Sequence, residues 1–305
     1  MHSYQVYGLK VRSELNCPEL LRASFPIPDI DVRFEPVSEQ LKNCIFSCSN
    51  FDAGEAAILL RVPRVGRFLI ENGRRIRIQP EAGVEQTKLR LFLLGSCLGA
   101  ILHQRGITPL HASAVSCGAG AIVVCGRSGA GKSTTAAALA ARGFGILADD
   151  ISALSIRHRD VLLAPGYPQM KLWQNSMEYF RLPCRDNEQV RPGVAKHAVR
   201  LEKDFDIDAK PVRAFFWLNK HGNGAAAVRE LKGCACFQAI RKNIYRKRYN
   251  VPARKQRYFH QCRRLAERAR VFELTRPESG NSIEAVADLV ETLSLPRTVR
   301  ELEYT

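Results

Sequence analysis

The eight residues GRSGAGKS, Gly126 to Ser133, fit the pattern GxxxxGK[ST], and each position in it has a chemical reason. Glycines let the backbone curl so that successive N–H groups point inward at phosphate oxygens, and a helix starting at the end of the loop adds partial positive charge. Nucleotide phosphates are therefore expected on Gly126, Arg127, Ser128, Gly129, Ala130, Gly131, Lys132, Ser133 and Thr134. Lys132 would reach the β- and γ-phosphates and the Ser133 hydroxyl would ligate Mg²⁺. Two adjacent acids, Asp149 and Asp150, follow this loop. One acid there is the ordinary partner of the metal. The second is informative: with Asp150 on the metal, Asp149 is available to accept a proton from an incoming hydroxyl, its basicity raised by the like charge beside it. That suits phosphoryl transfer to a hydroxyl better than plain hydrolysis.

These groups need positioning elements. Ala121 to Cys125 reads as a short apolar strand, and the alanine-rich run from Lys132 to Arg142 as a helix closed by Gly143. Ile146 to Ala148 reads as a second buried strand with the two acids at its C-terminal end, where open parallel sheets place their ligands. Neighbouring residues on a strand point in opposite directions, so both carboxylates reach one site only if the strand ends there.

Upstream, the first eighty residues read as an antiparallel β-domain, most clearly in GRFLIENGRRIRIQP, where Asn72-Gly73 is a tight hairpin turn. From Val84 to Gln104 apolar residues recur at three- and four-residue intervals, which predicts a helix ended by Gly106 that joins this domain to the core. Downstream come an extended GYPQMKLW, a helix around Asn175 to Arg181, a strand at Val212 to Leu218, a basic helical stretch and an amphipathic helix from Ser282 to Leu293. The expected division is a β-rich domain over 1–83, a connecting helix over 84–108 and a catalytic domain over 109–305.

Composition narrows the class. The chain has 305 residues, 46% hydrophobic and 25% charged, which suits a large α/β domain with a smaller one and excludes disordered or fibrous types. Its N-terminus lacks the basic and apolar regions of a signal peptide, and the longest apolar run, LRLFLLGSCLGAIL, is too short for a bilayer, so a cytoplasmic protein without a membrane partner is expected. Ten cysteines are scattered, and the close pairs Cys44/Cys48 and Cys234/Cys236 have no histidines at ligand spacing, which predicts reduced thiols and no structural zinc. Net charge is +16, and Arg241 to Arg270 holds twelve Lys or Arg against one acid, Glu267. With Tyr245, Tyr249, Tyr258 and Phe259 interleaved, this stretch would dock an acidic peptide, or a nucleic-acid backbone.

The motifs together carry a resemblance. LHASAV from Leu110, then VVCGRSGAGKSTTAAALAARGFGILADD ending at Asp150, resemble the catalytic domain of HPr kinase/phosphorylase, a protein-serine kinase built on a phosphate loop. The resemblance implies an α/β core of that type, akin to PEP carboxykinase, with a smaller N-terminal β-rich domain. It implies Asp149 as the catalytic aspartate, Asp150 as its metal-linked partner, Lys132 and Ser133 as the phosphate and Mg²⁺ contacts, and His111 near the reacting phosphate. The leading segment YQVYGLKVRSELNCPEL, the helix ending in QRG and GYPQMKLW are similar to HPr-kinase-like proteins found beside peptide-tailoring genes, among them lasso-peptide kinases. No counterpart of the segment linked to dephosphorylation is present, and the hexamers of HPr enzymes leave an oligomer among the implications.

Lys171, and Lys196 or Arg200, are the candidate cations for charge on the transferring phosphoryl group. The expectation is thus an ATP- and Mg²⁺-dependent kinase acting on a serine or threonine hydroxyl of a peptide or small protein, such as a lasso-peptide precursor. The alternatives are a nucleic-acid-associated NTP-binding protein, which leaves Asp149 idle, and a small-molecule kinase.

Overall fold

The computed structural model describes residues 1–158, 160–182, 194–201, 203–221, 224–249, 251–278 and 280–294, so Cys184 lies outside the described residues. The chain forms two compact units. The first comprises Met1–Pro109, Ala153–Ser155 and Ile244–Gln261; the second comprises Leu110–Ser152, Ile156–Asn243 and Cys262–Thr305. The protein is a mixed α/β chain with several sheets.

In the first unit, β1 (His2–Val6), β2 (Leu9–Ser13), β3 (Leu21–Arg22), β4 (Ile30–Phe34), β5 (Phe46–Cys48), β6 (Phe51–Ala53), β7 (Ala57–Val62), β8 (Gly66–Glu71) and β9 (Arg75–Pro80) form one sheet in the order β3-β1-β2-β4-β9-β8-β7-β6-β5. The alternation in β9 works as read: Ile76 and Ile78 are buried while Arg75 and Arg77 turn outward. Asn72 and Gly73 make the β8–β9 turn with φ of 53° and 63°, the paired positive φ that matches strand twist in a two-residue hairpin. The expected purely antiparallel domain needs correction, because β2 pairs with β4 and β4 with β9 in parallel. Long connections, rather than hairpins, separate these strands in sequence, and parallel pairing requires that length.

The predicted helix forms as α1 (Gln86–Phe92), a wide π-turn (Leu93–Cys97) and α2 (Leu98–Arg105), closed by Gly106 at φ 72°. It is not a connector: it belongs to the first unit. Phe92 lies 6.1 Å from Phe68, and the Gln104 amide donates to the carbonyls of Ala56 and Ile70 while its oxygen accepts from Gly73 N–H. The other correction is that 244–261 leaves the expected 109–305 domain and joins this unit. Its tyrosines explain why. Tyr249 is 2% exposed and packs edge-on against Phe51 at 5.0 Å, and Tyr258 is 4% exposed. Of the four aromatics read as interleaved on a basic surface, Phe259 is the exposed one, at 57%. The described residues contain no helix long and apolar enough to cross a membrane.

The Tyr258 hydroxyl donates to His103 Nδ1 at 2.5 Å, and His103 Nε2 donates to the Tyr245 carbonyl at 2.7 Å, an arrangement that suits a neutral imidazole. Burial pushes the His103 pKa down from 6.5 to about 4. The unfolded chain therefore binds a proton that the folded unit refuses. This contribution to stability is fully present above about pH 6.5 and is lost progressively as pH falls toward about 4, by up to about 3 kcal/mol. Denaturant unfolding between pH 7.5 and 4 should show this acid limb, flattened in His103→Gln; equal slopes in both proteins would remove His103 as its source.

The chain continues through β10 (Thr108–Leu110) into the second unit, where β11 (Ala112–Cys117), β12 (Gly120–Gly126), α3 (Lys132–Ala140) and β13 (Gly145–Ala148) follow. Then come β14 (Ser152–Arg157), β15 (Asp160–Ala164), β16 (Gln169–Trp173), α4 (Gln174–Tyr179), β17 (Lys196–Arg200), β18 (Lys210–Lys220), β19 (Ala227–Glu230), α5 (Cys234–Lys242), α6 (Lys255–Arg268), β20 (Arg270–Arg276) and α7 (Ile283–Ser294). Strand β12, apolar throughout and fully buried, lies parallel to β18, which is itself parallel to β20. On its other side is β11, antiparallel to both β12 and β13. Hence β12 and β13 run the same way and both end at one edge of the sheet. The small residues Ala136, Ala137 and Ala138 let α3 sit close on the buried core with Val115, Ile122 and Leu139.

Candidate active site

The loop Gly126–Ser133 leaves the end of β12 and enters α3. Gly126 has φ 152°, and a Cβ there would overlap the Leu218 carbonyl oxygen of the neighbouring strand; Gly131, at φ 111°, begins the helix. Glycine is demanded at both places by backbone conformation. Lys132 is 6% exposed, and its ammonium donates to the carbonyls of Gly126 at 3.0 Å and Arg127 at 3.1 Å and to His111 Nε2 at 3.1 Å. Burial holds its pKa below the ordinary lysine value.

His111 precedes β11, two residues from Ser113, so both fall on one side of the extended chain. His111 Nδ1 donates to the Asp150 carbonyl at 3.1 Å, which leaves Nε2 to accept from Lys132. Burial, then the Lys132 charge, lowers its pKa, so the ring is neutral near pH 7.

Strand β13 ends at Ala148, and the next two residues turn. Asp150 takes the left-handed conformation, φ 70°, which an aspartate tolerates at some strain. Both carboxylates thereby enter one network. Asp149, 6% exposed, accepts from Ser113 Oγ at 2.5 Å and Ser133 Oγ at 2.8 Å through Oδ1, and from Lys171 N–H at 2.8 Å through Oδ2. Asp150 pairs with the Lys171 ammonium at 2.8 Å and lies 3.4 Å from His111 Nδ1. Burial alone would raise the Asp150 pKa, but Lys171, His111 and Lys196 hold it well below the usual carboxylate range. Lys171 is the counterpart: burial would lower its pKa, while Tyr167 and Asp150 keep it above the ordinary lysine value.

The sequence expectation joined Ser133 to Asp150 as the metal set and gave the proton to Asp149. The hydroxyl of Ser133 donates instead to Asp149, because the left-handed turn swings Asp150 toward Lys171 and His111. Lys196 stands opposite Trp173 in the β16–β17 ladder, and its charge acts on both Lys132 and Asp150. Arg200 is at the far end of that ladder, opposite Gln169, and exposed. Arg127, Ser128 and Gly129 form the exposed crest of the loop, and the Thr134 hydroxyl shares a 2.8 Å hydrogen bond with Ser176 Oγ.

Two residues of the site were missed. Ser113 had a legible signal in its two-residue spacing from His111. Arg276, at the end of β20, had none: its Nε donates to the Ala130 carbonyl at 2.7 Å and Nη2 to the Gly129 carbonyl at 3.5 Å, bracing the loop from a position 146 residues away.

The oxygen donors Ser133 and Asp149 fit Mg²⁺, which binds through one or two protein oxygens and takes its other ligands from phosphates and water. Among the described residues no three His, Cys, Asp or Glu side chains form a metal cluster of their own.

No protein-family model matches the chain. No curated protein matches it. One solved structure, the Hpr(Ser) kinase/phosphatase from Coxiella burnetii, is similar at 13% identity and a TM-score of 0.32, over 65% of this chain and 99% of that one. At that level the likeness carries no argument about chemistry, which rests on the geometry of the site.

Proposed function

We propose that the protein is an ATP- and Mg²⁺-dependent kinase that transfers the γ-phosphoryl group to a serine or threonine hydroxyl of a peptide or small protein. The observation that carries this is the pair of aspartates turned into one network, Asp149 on Ser133 and Asp150 on Lys171 and His111. Hydrolysis or simple nucleotide binding leaves Asp150 without a part.

The loop amides, the α3 N-terminus and Lys132 receive the β- and γ-phosphates, whose oxygens replace the loop carbonyls as partners of the ammonium. Mg²⁺, held by Ser133 and Asp149, supplies neutralisation of the phosphate oxygens. Neutral His111 is a positioning residue that fixes Lys132 against the Asp150 carbonyl. Lys171, with Lys196 nearby, faces negative charge on the transferring group. The acceptor oxygen forms its bond to the γ-phosphorus as the bond to the β-phosphate bridging oxygen breaks, the electron pair leaves with ADP, and the hydroxyl proton passes to Asp150. A carboxylate held low is a weak base, yet it suffices for a loose transition state, in which the hydroxyl becomes acidic as its oxygen bonds to phosphorus.

The acceptor is proposed to be acidic, drawn by Arg246, Lys247, Arg248, Lys255 and Arg257, all exposed in the first unit. With Tyr249 and Tyr258 turned inward, the stacking platform that a nucleic-acid reading wants is missing from this surface. The motifs shared with the peptide-tailoring branch make a lasso-peptide-type precursor the first acceptor to try. Mass spectrometry of the protein with Mg-ATP, candidate acidic precursor peptides, HPr, a small alcohol panel and an RNA control tests this. A gain of one phosphate on a peptide hydroxyl is the expected result; ATP hydrolysis only with RNA, and no phosphopeptide, would overturn it.

A further inference from the structure

A cavity of about 430 Å³ opens beside the phosphate loop in the second unit, within the size range of small-molecule sites. Gly131 and Thr134 at the head of α3 form one wall, Asn175, Ser176 and Tyr179 of α4 another, and the run from Arg276 to the start of α7 closes it. The loop and the cavity are therefore continuous: anything whose phosphates lie on Gly126–Ser133 has its remaining part at this opening.

The lining says what that part is. Its side chains are mostly neutral amides and hydroxyls, with one aromatic ring, Tyr179, 39% exposed. The cation present, Arg276, is committed to the Gly129, Ala130 and Pro277 carbonyls, and burial lowers its pKa. Glu278 adds a negative charge to the wall. A second anion would meet one engaged guanidinium and an opposing carboxylate. A neutral, planar, hydrogen-bonding group finds donors, acceptors and a ring.

We infer that this cavity is the nucleoside subsite, holding the base and ribose of the phosphoryl donor. This rests on the proposed phosphate-binding role of the loop. Arg276 then joins the two halves of the donor site, holding the loop from the cavity side.

The test compares Mg-ATP with Mg-tripolyphosphate by titration calorimetry, in the parent protein and in Asn175→Trp and Tyr179→Ala, with thermal melts to verify folding. Asn175 is exposed on α4, so the larger ring fills the cavity without entering the core. The expected result is ATP binding tighter than tripolyphosphate in the parent. In Asn175→Trp the ATP affinity should fall about tenfold or more while that of tripolyphosphate stays within about twofold, with a smaller loss of ATP affinity in Tyr179→Ala. Tripolyphosphate binding with ATP no tighter, or ATP affinity untouched by Asn175→Trp, overturns the subsite and leaves the loop's role standing. Failure of the parent to bind either ligand overturns the reading of the loop, and the subsite with it.

Discussion

Asp150→Asn is expected to lower kcat for phosphoryl transfer by roughly 10²- to 10⁴-fold, the range for loss of a positioned proton acceptor, with Mg-ATP affinity little changed. The reason is the division of labour in the network. Asp150 meets Lys171 and His111, whereas Asp149 takes three hydrogen bonds from Ser113, Ser133 and the Lys171 amide. A carboxylate so committed is a poor proton acceptor and a good fixed ligand. Asp149→Asn is accordingly expected to weaken Mg-dependent ATP binding. Steady-state kinetics with direct binding, on variants shown by thermal melts to be folded, separate the two. Loss of kcat alone in Asp149→Asn, with Asp150→Asn active, would return the roles to the order expected from sequence.

Lys132→Ala is expected to reduce kcat/KM by about 10²- to 10³-fold or more, as when a preorganised donor to developing charge is removed. Its ammonium has three donors, and the structure uses all three, on Gly126, Arg127 and His111. The variant should still fold, because Arg276 independently grips the Gly129 and Ala130 carbonyls. Lys132→Arg should not rescue, since a planar fork cannot occupy the space of a compact ammonium 6% exposed. Transfer retained in the alanine variant, measured by phosphopeptide formation, would take the loop out of the mechanism.

The parts of the site that were legible are those whose causes are local. The loop, the strand before it, the helix after it and the strand ending at the acids lie between Gly120 and Asp150, and each obeys a short-range rule of glycine conformation, apolar run or helix propensity. The requirement that β13 end before the acids also followed from the geometry of a strand. What failed was set at a distance or by one dihedral angle. The left-handed turn at Asp150 decides which carboxylate faces Ser133, and no neighbouring residue announces it. Arg276 reaches the loop across most of the unit's sequence. The basic stretch looked like a surface because its charges are dense, yet burial of Tyr249 and Tyr258 against residues far upstream places 244–261 in the first unit. In the same way, hairpin signals in β8 and β9 were clear, while the parallel joins through β4 depend on chain that has no pattern of its own.

The π-turn at Leu93–Cys97 acts as a phase shifter. A regular helix advances about 100° per residue, and a wide turn amounts to one residue threaded in without that advance. All five of its residues are buried, so the extra residue is covered on every side rather than bulged into water. Deleting one residue there, Gly95 for instance, would restore even winding and rotate everything after it by about 100° about the axis. His103 would then face away from Tyr258 and Tyr245, and Gln104 away from the hairpin turn it holds at Gly73. A single-codon gain or loss at this point is thus inseparable from the 244–261 segment: a lineage could change one only by rebuilding the other.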